Sequence, residues 1–367
     1  MLDPVIEFFS RMFSLIGRAI GTFIAWLLWP FLAFRNWLRG KGWFIKIPVF
    51  LMLLFIVFSY AYLLFITQIW SIGDENYASK YSIEQVESGA GETLAAGQCQ
   101  QSAMVQVAAD LISSNVDEGP WVPSNPFYKA GLFFIWDWKE TPFFDNRAAF
   151  QLGKNQVIRR TAVELVDRLG RVRGTSSVNR NLQEAREAAN YREDAWVFTF
   201  SPPFLQPSTQ ARLRDSRQKL LDFNQELSSC AADFDTRADN LLQFLDRVTA
   251  DIGSTSDILQ QRMKEASAFG FDRRADDRFW FAYGQLYAYH GMLTAMRSDF
   301  RNVFQQRNLG NLWYRVDKQL KDVIRTQPFV VANGSASSLI KSHLESIGFD
   351  LLRVRSNLVE IRDVLDR

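Results

Sequence analysis

IPVFLMLLFIVFSYAYLLFITQI, residues 47–69, runs for 23 positions without a charged side chain. Pro48, Ser59, Thr67 and Gln68 are its interruptions. As an α-helix rising about 1.5 Å per residue, the run covers roughly 34 Å, enough for a hydrocarbon core of about 30 Å. A helix buried in a soluble core would keep a polar stripe over such a length, so the stretch reads as a membrane span. A signal peptide needs a shorter apolar region near the start and a small-residue cleavage site. Here the run begins at residue 47 and Thr67-Gln68-Ile69-Trp70 closes it. A retained anchor over residues 45–71 is expected.

The flanks set its direction. Arg11, Arg18, Arg35, Arg39, Lys41 and Lys46 precede the span, whereas Asp74 and Glu75 follow it and Lys80 is the first positive charge beyond. The positive-inside rule keeps residues 1–44 cytoplasmic and exports everything after about residue 72. Tyr60, Tyr62 and Trp70 fall toward the outer interface, Trp37 and Trp43 toward the inner one.

Residues 1–44 are apolar in a different way. Glu7, Arg11, Ser14, Arg18 and Thr22 recur every three or four positions on one stripe, and Phe, Ile, Leu and Met cover the rest. That pattern suits an amphipathic helix lying in the headgroup plane, with arginines reaching phosphates. The alternative is a second span over Ala19–Phe34, short for a crossing and interrupted by Pro30.

Outward from the anchor, the composition excludes several classes. With 42 Lys+Arg against 40 Asp+Glu the net charge is +2, not the basic footprint of a nucleic-acid binder. Two Cys and two His cannot supply a zinc ribbon or a soft-metal centre. No H-E-x-x-H, G-x-S-x-G or P-loop is present. No catalytic residue, metal site or cofactor is assigned.

The exported remainder reads as helix. From Ser337 to Arg367 the apolar residues Ile340, Leu344, Ile347, Leu351, Val354, Leu358, Ile361 and Leu365 alternate steps of four and three, a coiled-coil-like seam. After the prolines at 202–207, Leu220, Leu227, Phe234, Leu241 and Val248 recur every seven, interleaved with Phe223, Cys230 and Phe244. Weaker helical segments are Ala95–Val116, Asn155–Val172, Val178–Tyr191, Thr255–Ala268, Ala275–Arg307 and Leu309–Arg325. No stretch alternates like a strand. The fold class is therefore all-α: an interfacial helix, one transmembrane helix and a long-helix bundle. Proline-containing breaks fall at 119–127, 201–207 and 328–338, and the bundle reads as two packed subdomains, 75–200 and 207–367.

Several residues invite a chemical reading. Cys99 and Cys230 both fall on apolar faces, and in an oxidising compartment they would close a loop of about 130 residues. The bland alternative is two buried free thiols. His290 and His343 read as structural or surface residues. Phe279, Trp280, Phe281, Tyr283, Tyr287 and Tyr289 point to several faces of one helix, which favours core packing over a stacking platform. Trp121, Phe127, Trp280 and Tyr287 are nonetheless the candidates for a partner or ligand surface. Lys154, Arg159, Arg160, Arg168, Arg171 and Arg173 form a basic excess that could hold an anion, although such runs are usually solvated. Asp233, Asp235 and Asp239 lack calcium-loop spacing, and Arg237 occupies a seam position that calls for a carboxylate partner.

Trp121-Val-Pro-Ser-Asn-Pro-Phe127, Asp145-Asn146, Phe150-Gln-Leu-Gly153 and Arg237-Ala-Asp-Asn-Leu241 together resemble a proteobacterial inner-membrane family of unknown function. The resemblance covers most of residues 75–260. It implies a short N-terminal tail, one anchor, a helical periplasmic domain and a Gram-negative source. The family has no established active site, so it assigns none here. Asp145-Asn-Arg-Ala-Ala149 departs from it, since a proline-containing turn is expected before Phe150.

Three functional classes follow. The leading one is a non-enzymatic scaffold or docking module of the cell envelope, in contact with the lipid bilayer and another envelope protein. A homo-oligomer is compatible with it. The second is a ligand-binding module with a cleft between Trp121–Phe127 and Phe279–Tyr289. The third is an envelope hydrolase, which requires carboxylates such as Glu140, Asp145 or Asp194 to meet in that cleft.

Overall fold

The computed structural model describes residues 3–68, 73–132, 134–140, 145–170, 178–199, 201–265, 272, 274–334 and 341–367. Among them the fold is all-α: α1 (Asp3–Arg39), α2 (Trp43–Gln68), α3 (Ala103–Val116), α4 (Pro126–Ala130), α5 (Asn146–Glu164), α6 (Arg180–Ala189), α7 (Thr209–Ser228), α8 (Ala238–Met263), α9 (Ala275–Asp299), α10 (Arg301–Gln306), α11 (Gly310–Ile324) and α12 (His343–Leu365). Isolated bridges such as Thr93 with Cys99 are the extended pairing that these residues show. The chain forms two compact units, Met1–Ala61 and Tyr62–Arg367, and the division falls inside α2.

In the first unit α1 runs unbroken through Pro30. Trp43–Thr67, 25 residues, is the one helix among the described residues long and apolar enough to cross a membrane. Phe44, Phe50, Phe55 and Phe58 on it are exposed, where the core helix of a soluble protein would be covered. α1, with its stretch 19–34, does not meet the same test.

The second unit has one hydrophobic core, to which the parts 75–200 and 207–367 both contribute. α9 lies at its centre, packed on α3 and α5 from one part and on α8, α11 and α12 from the other. Its residues are apolar and aromatic on every side because every side meets another helix. α12 buries Leu344, Ile347, Leu351, Val354, Leu358, Ile361 and Leu365, chiefly against α8 and α11. Ile340 of the expected seam falls outside the described residues. Helix starts follow local chemistry: the side chains of Ser102, Asn125, Asn179, Ser208 and Ser342 accept backbone N–H groups at the first turns of α3, α4, α6, α7 and α12.

Some expected boundaries move. The seven-residue repeat from Leu220 to Val248 is not one helix, because α7 stops at Ser228 and α8 starts at Ala238. At the stop, Cys230 takes a left-handed φ of 57°, and its N–H donates to the Leu227 carbonyl while that of Ala231 donates to Glu226. This pairing ends a helix by turning its last carbonyls inward. Cys230 and Arg237 are therefore not seam residues, and the repeat survives the break because each helix carries its own buried stripe. α3 begins at Ala103 rather than Ala95, since residues 92–100 fold back on themselves and Ser102 caps the helix. α5 begins nine residues before Asn155 and widens over Leu165–Leu169 into a π-helical turn. Residues 255–263 are the end of α8, not a helix of their own.

Candidate functional site

A cavity of about 500 Å³ opens between the segment after α2, α3, α5 and α9. Gly73, Asp74, Tyr77, Lys80 and Tyr81 form one side, Asp110, Ser113, Ser114 and Glu118 a second, and Arg147, Phe150, Gln151, Lys154 and Tyr287 the floor. Tyr77 is fixed by stacking on Tyr287, with ring centroids 4.2 Å apart. Its hydroxyl donates to the Tyr287 carbonyl and accepts from the Gly291 N–H at 2.9 Å.

Lys154 is buried. Its Nζ donates to Ser114 Oγ at 2.8 Å and stands 4.7 Å from the centroid of the Phe150 ring. Burial, with the nearby Arg147 charge, pushes its pKa down to about 7. Arg147 donates from Nη1 to the Ile66 carbonyl at 3.1 Å, in the last turns of α2, and burial lowers its pKa as well. At the rim Asp110 is fully engaged. It pairs with Lys80 at 2.8 Å and accepts from the Tyr81 hydroxyl at 2.6 Å and from Gln106 Nε2 at 2.9 Å.

The residues expected to line a cleft do not assemble one. Trp121 is buried and donates from Nε1 to the Glu193 carbonyl at 2.8 Å. Phe127 sits in the short α4, half-buried. Trp280 is buried beside Asn146, whose amide accepts from its Nε1 at 3.1 Å. Tyr287 alone of the four reaches the cavity. Phe279, Trp280, Tyr283 and Tyr289 are core residues, because α9 is enclosed on all sides.

The basic run is also paired with acids, two of which lie far away in sequence. Arg159 pairs with Glu193 at 3.0 Å, Arg160 approaches Asp251 at 3.6 Å, and Arg168 approaches Glu164 at 3.4 Å. Arg171 and Arg173 fall outside the described residues. The carboxylates of the hydrolase reading do not meet either. Glu140 pairs with Arg274 at 3.0 Å, and Asp194 pairs with Lys129 and Arg192, both at 3.1 Å. Asp145 is buried with Asp277 and Asp276 instead. Burial and the shared negative charge hold its carboxyl well above the ordinary range, and burial followed by Asp277 raises Asp276 to about 7.

Cys99 and Cys230 are joined by a disulfide with their Cα atoms 5.3 Å apart. His290 is buried with Nε2 3.2 Å from Asp317 Oδ1. His343 opens α12, and its Nδ1 accepts from the Ala332 N–H at 3.0 Å. Arg237 stands at the cap of α8 with an exposed side chain that grips the buried Asp235.

Three features escaped the one-dimensional reading. Asp299 is buried and caps α3, accepting from Ser102 Oγ at 2.7 Å and from the N–H groups of Ala103 and Met104 at 2.8 and 2.9 Å. Lys154 sits in a charged run whose arginines face outward, so nothing in its neighbours marks it as buried. Finally, large apolar side chains are exposed on two loops: Phe134, Ile135 and Trp136 on one, Trp196, Val197, Phe198, Phe204 and Leu205 on the other. Their starting segments are tied together by the Lys129–Asp194 pair.

These observations define an all-α protein with one helix able to cross a membrane and a body of helices built around α9. Residues 39–270 match the model of a family described as an uncharacterized protein conserved in bacteria (DUF2333). The chain belongs to this family. No curated protein and no solved structure matches the chain.

Proposed function

We propose that the protein is a single-pass inner-membrane protein whose periplasmic helical body is a non-enzymatic docking module for another envelope protein. α1 lies along the cytoplasmic headgroups, α2 crosses, and the six basic residues before the span keep the N-terminus inside. The observation that carries the docking role is the exposed apolar surface on the two loops. Ile135, Phe198, Phe204 and Leu205 are each more than half exposed. Aromatic and aliphatic side chains displayed together in this way serve as anchors for a partner. Photo-crosslinking residues at positions 135, 198 and 204, introduced into the full chain in its own membrane, test the reading. A discrete adduct with one envelope protein is expected. Adducts with lipid alone, or with none at any of the three positions, would sink it.

The cavity favours a second reading. Its volume of about 500 Å³ is within the range of small-molecule sites, and its polar side chains converge from four segments. On this reading the body binds a small ligand.

A further inference from the structure

The geometry points to an anion site at the floor of this cavity, in which Lys154 and Arg147 bind a phosphate group. The inference rests on the reading that the cavity takes a ligand, and it names the class.

Lys154 is the reason. An ammonium carries three donors, and the protein gives it one hydroxyl, Ser114 Oγ, together with the face of Phe150. Among the described residues no carboxylate lies within ion-pair distance of it. That is unusual for a buried lysine, since charges removed from water are normally paired. Ser114 Oγ is itself committed, donating to the Leu111 carbonyl at 2.9 Å. The acids that line the cavity do not fill the gap. Asp110 is held by Lys80, Tyr81 and Gln106, and Asp74 accepts from the Asn76 N–H at 2.8 Å. Glu118 acts on Lys154 only through its field.

Lys154 and Arg147 thus line one hollow, where burial lowers the pKa of both and the Arg147 charge lowers that of Lys154 further. A guest with a compact negative charge supplies the counter-charge that Lys154 lacks. Phosphate fits better than a carboxylate, because its oxygens can accept from a point-like ammonium and from a guanidinium fork together. Arg147 also binds the Ile66 carbonyl, in the last turns of α2. The phosphate can therefore come from a lipid headgroup or from free solution.

The test uses the full-length protein in a neutral detergent. Its thermal midpoint is followed with inorganic phosphate, with phosphatidylglycerol in mixed micelles, and with phosphatidylcholine as a zwitterionic comparison. Phosphatidylglycerol or inorganic phosphate is expected to raise the midpoint. Lys154→Met is expected to weaken that binding roughly 10- to 100-fold, the loss of one charged hydrogen bond. Lys318→Met, exposed on α11 away from the cavity, leaves it within about twofold. A rise with phosphatidylglycerol but not with phosphate assigns the group to a headgroup, and a rise with both assigns it to phosphate in general.

No rise with either probe, or a rise that persists unchanged in Lys154→Met, overturns the anion site. Native mass spectrometry of the protein drawn from membranes separates this from failure of the cavity. An uncharged adduct that disappears in Ser114→Trp keeps a ligand in the cavity but removes the phosphate. An absence of any adduct in both proteins removes both readings.

Discussion

Gly153 of α5 and Gly284 of α9 form one crossing. A Cβ on Gly153 would run into the Phe281 carbonyl, and a Cβ on Gly284 would run into the Phe150 carbonyl. The backbones of these helices touch, and this contact fixes α9 against α5, which carries the cavity residues Phe150 and Lys154.

Gly284→Ala is therefore expected to cost about 1–3 kcal/mol or more, because a backbone carbonyl cannot rotate away as a side chain can. Gly348→Ala in α12 is the contrast. A Cβ there meets nothing within 4 Å, so the helix gains roughly 0.5–1 kcal/mol. Urea unfolding of both variants checks the pair, and equal effects would contradict the close crossing.

Lys154→Met should stabilise the protein at neutral pH while removing any anion site. The lysine falls from an ordinary value of 10.5 to about 7 in the fold, so the unfolded chain holds the proton more strongly. Wild-type stability then rises with pH between about 7 and 10.5, and the penalty is full below that window. Lys154→Met removes the slope and gains on the order of a few kcal/mol at pH 6–7. Denaturant midpoints measured from pH 6 to 9 decide it.

Asp276 gives the opposite slope. Its folded value of about 7 lies above the ordinary 3.8, so the fold holds a proton that the unfolded chain releases. This contribution is complete below about pH 4 and is lost as the pH climbs to 7. Asp276→Asn is expected to flatten the fall in stability across that window by roughly 2–4 kcal/mol. Asp145, raised beside it, leaves a residual slope. An unchanged pH profile in the variant would show that burial and Asp277 do not raise Asp276.

Cys99→Ser should lower stability by a nominal value of about 4–5 kcal/mol, since the bridge closes a loop of 131 residues. A non-reducing peptide map of the protein from its native membrane should show the two cysteines linked. Protein that alkylates fully without reductant would argue against export of the body.

Much of this was legible along the chain. The uncharged run before residue 69 marked α2, and the alternation from Leu344 to Leu365 marked α12, because burial on one side of a helix leaves a periodic trace. Positions within the bundle left weaker signs. The repeat across Leu227, Phe234 and Leu241 looked continuous although a left-handed Cys230 breaks it. Arg159 and Arg160 read as part of a basic face, but Glu193 and Asp251, from other parts of the chain, stand beside them. Trp121 and Trp280 looked displayable, yet both are enclosed.

The amino-acid order alone determined the helices and the candidate span, since these depend on the polarity of neighbours a few positions apart. The cavity, the partners of each charge and the burial of Lys154 were decided only when α3, α5 and α9 came together. The reason is physical: the energy of a charge is set by what surrounds it in space, and the tertiary fold brings many of those surroundings from distant parts of the chain, as Ser114 to Lys154 and Asp251 to Arg160.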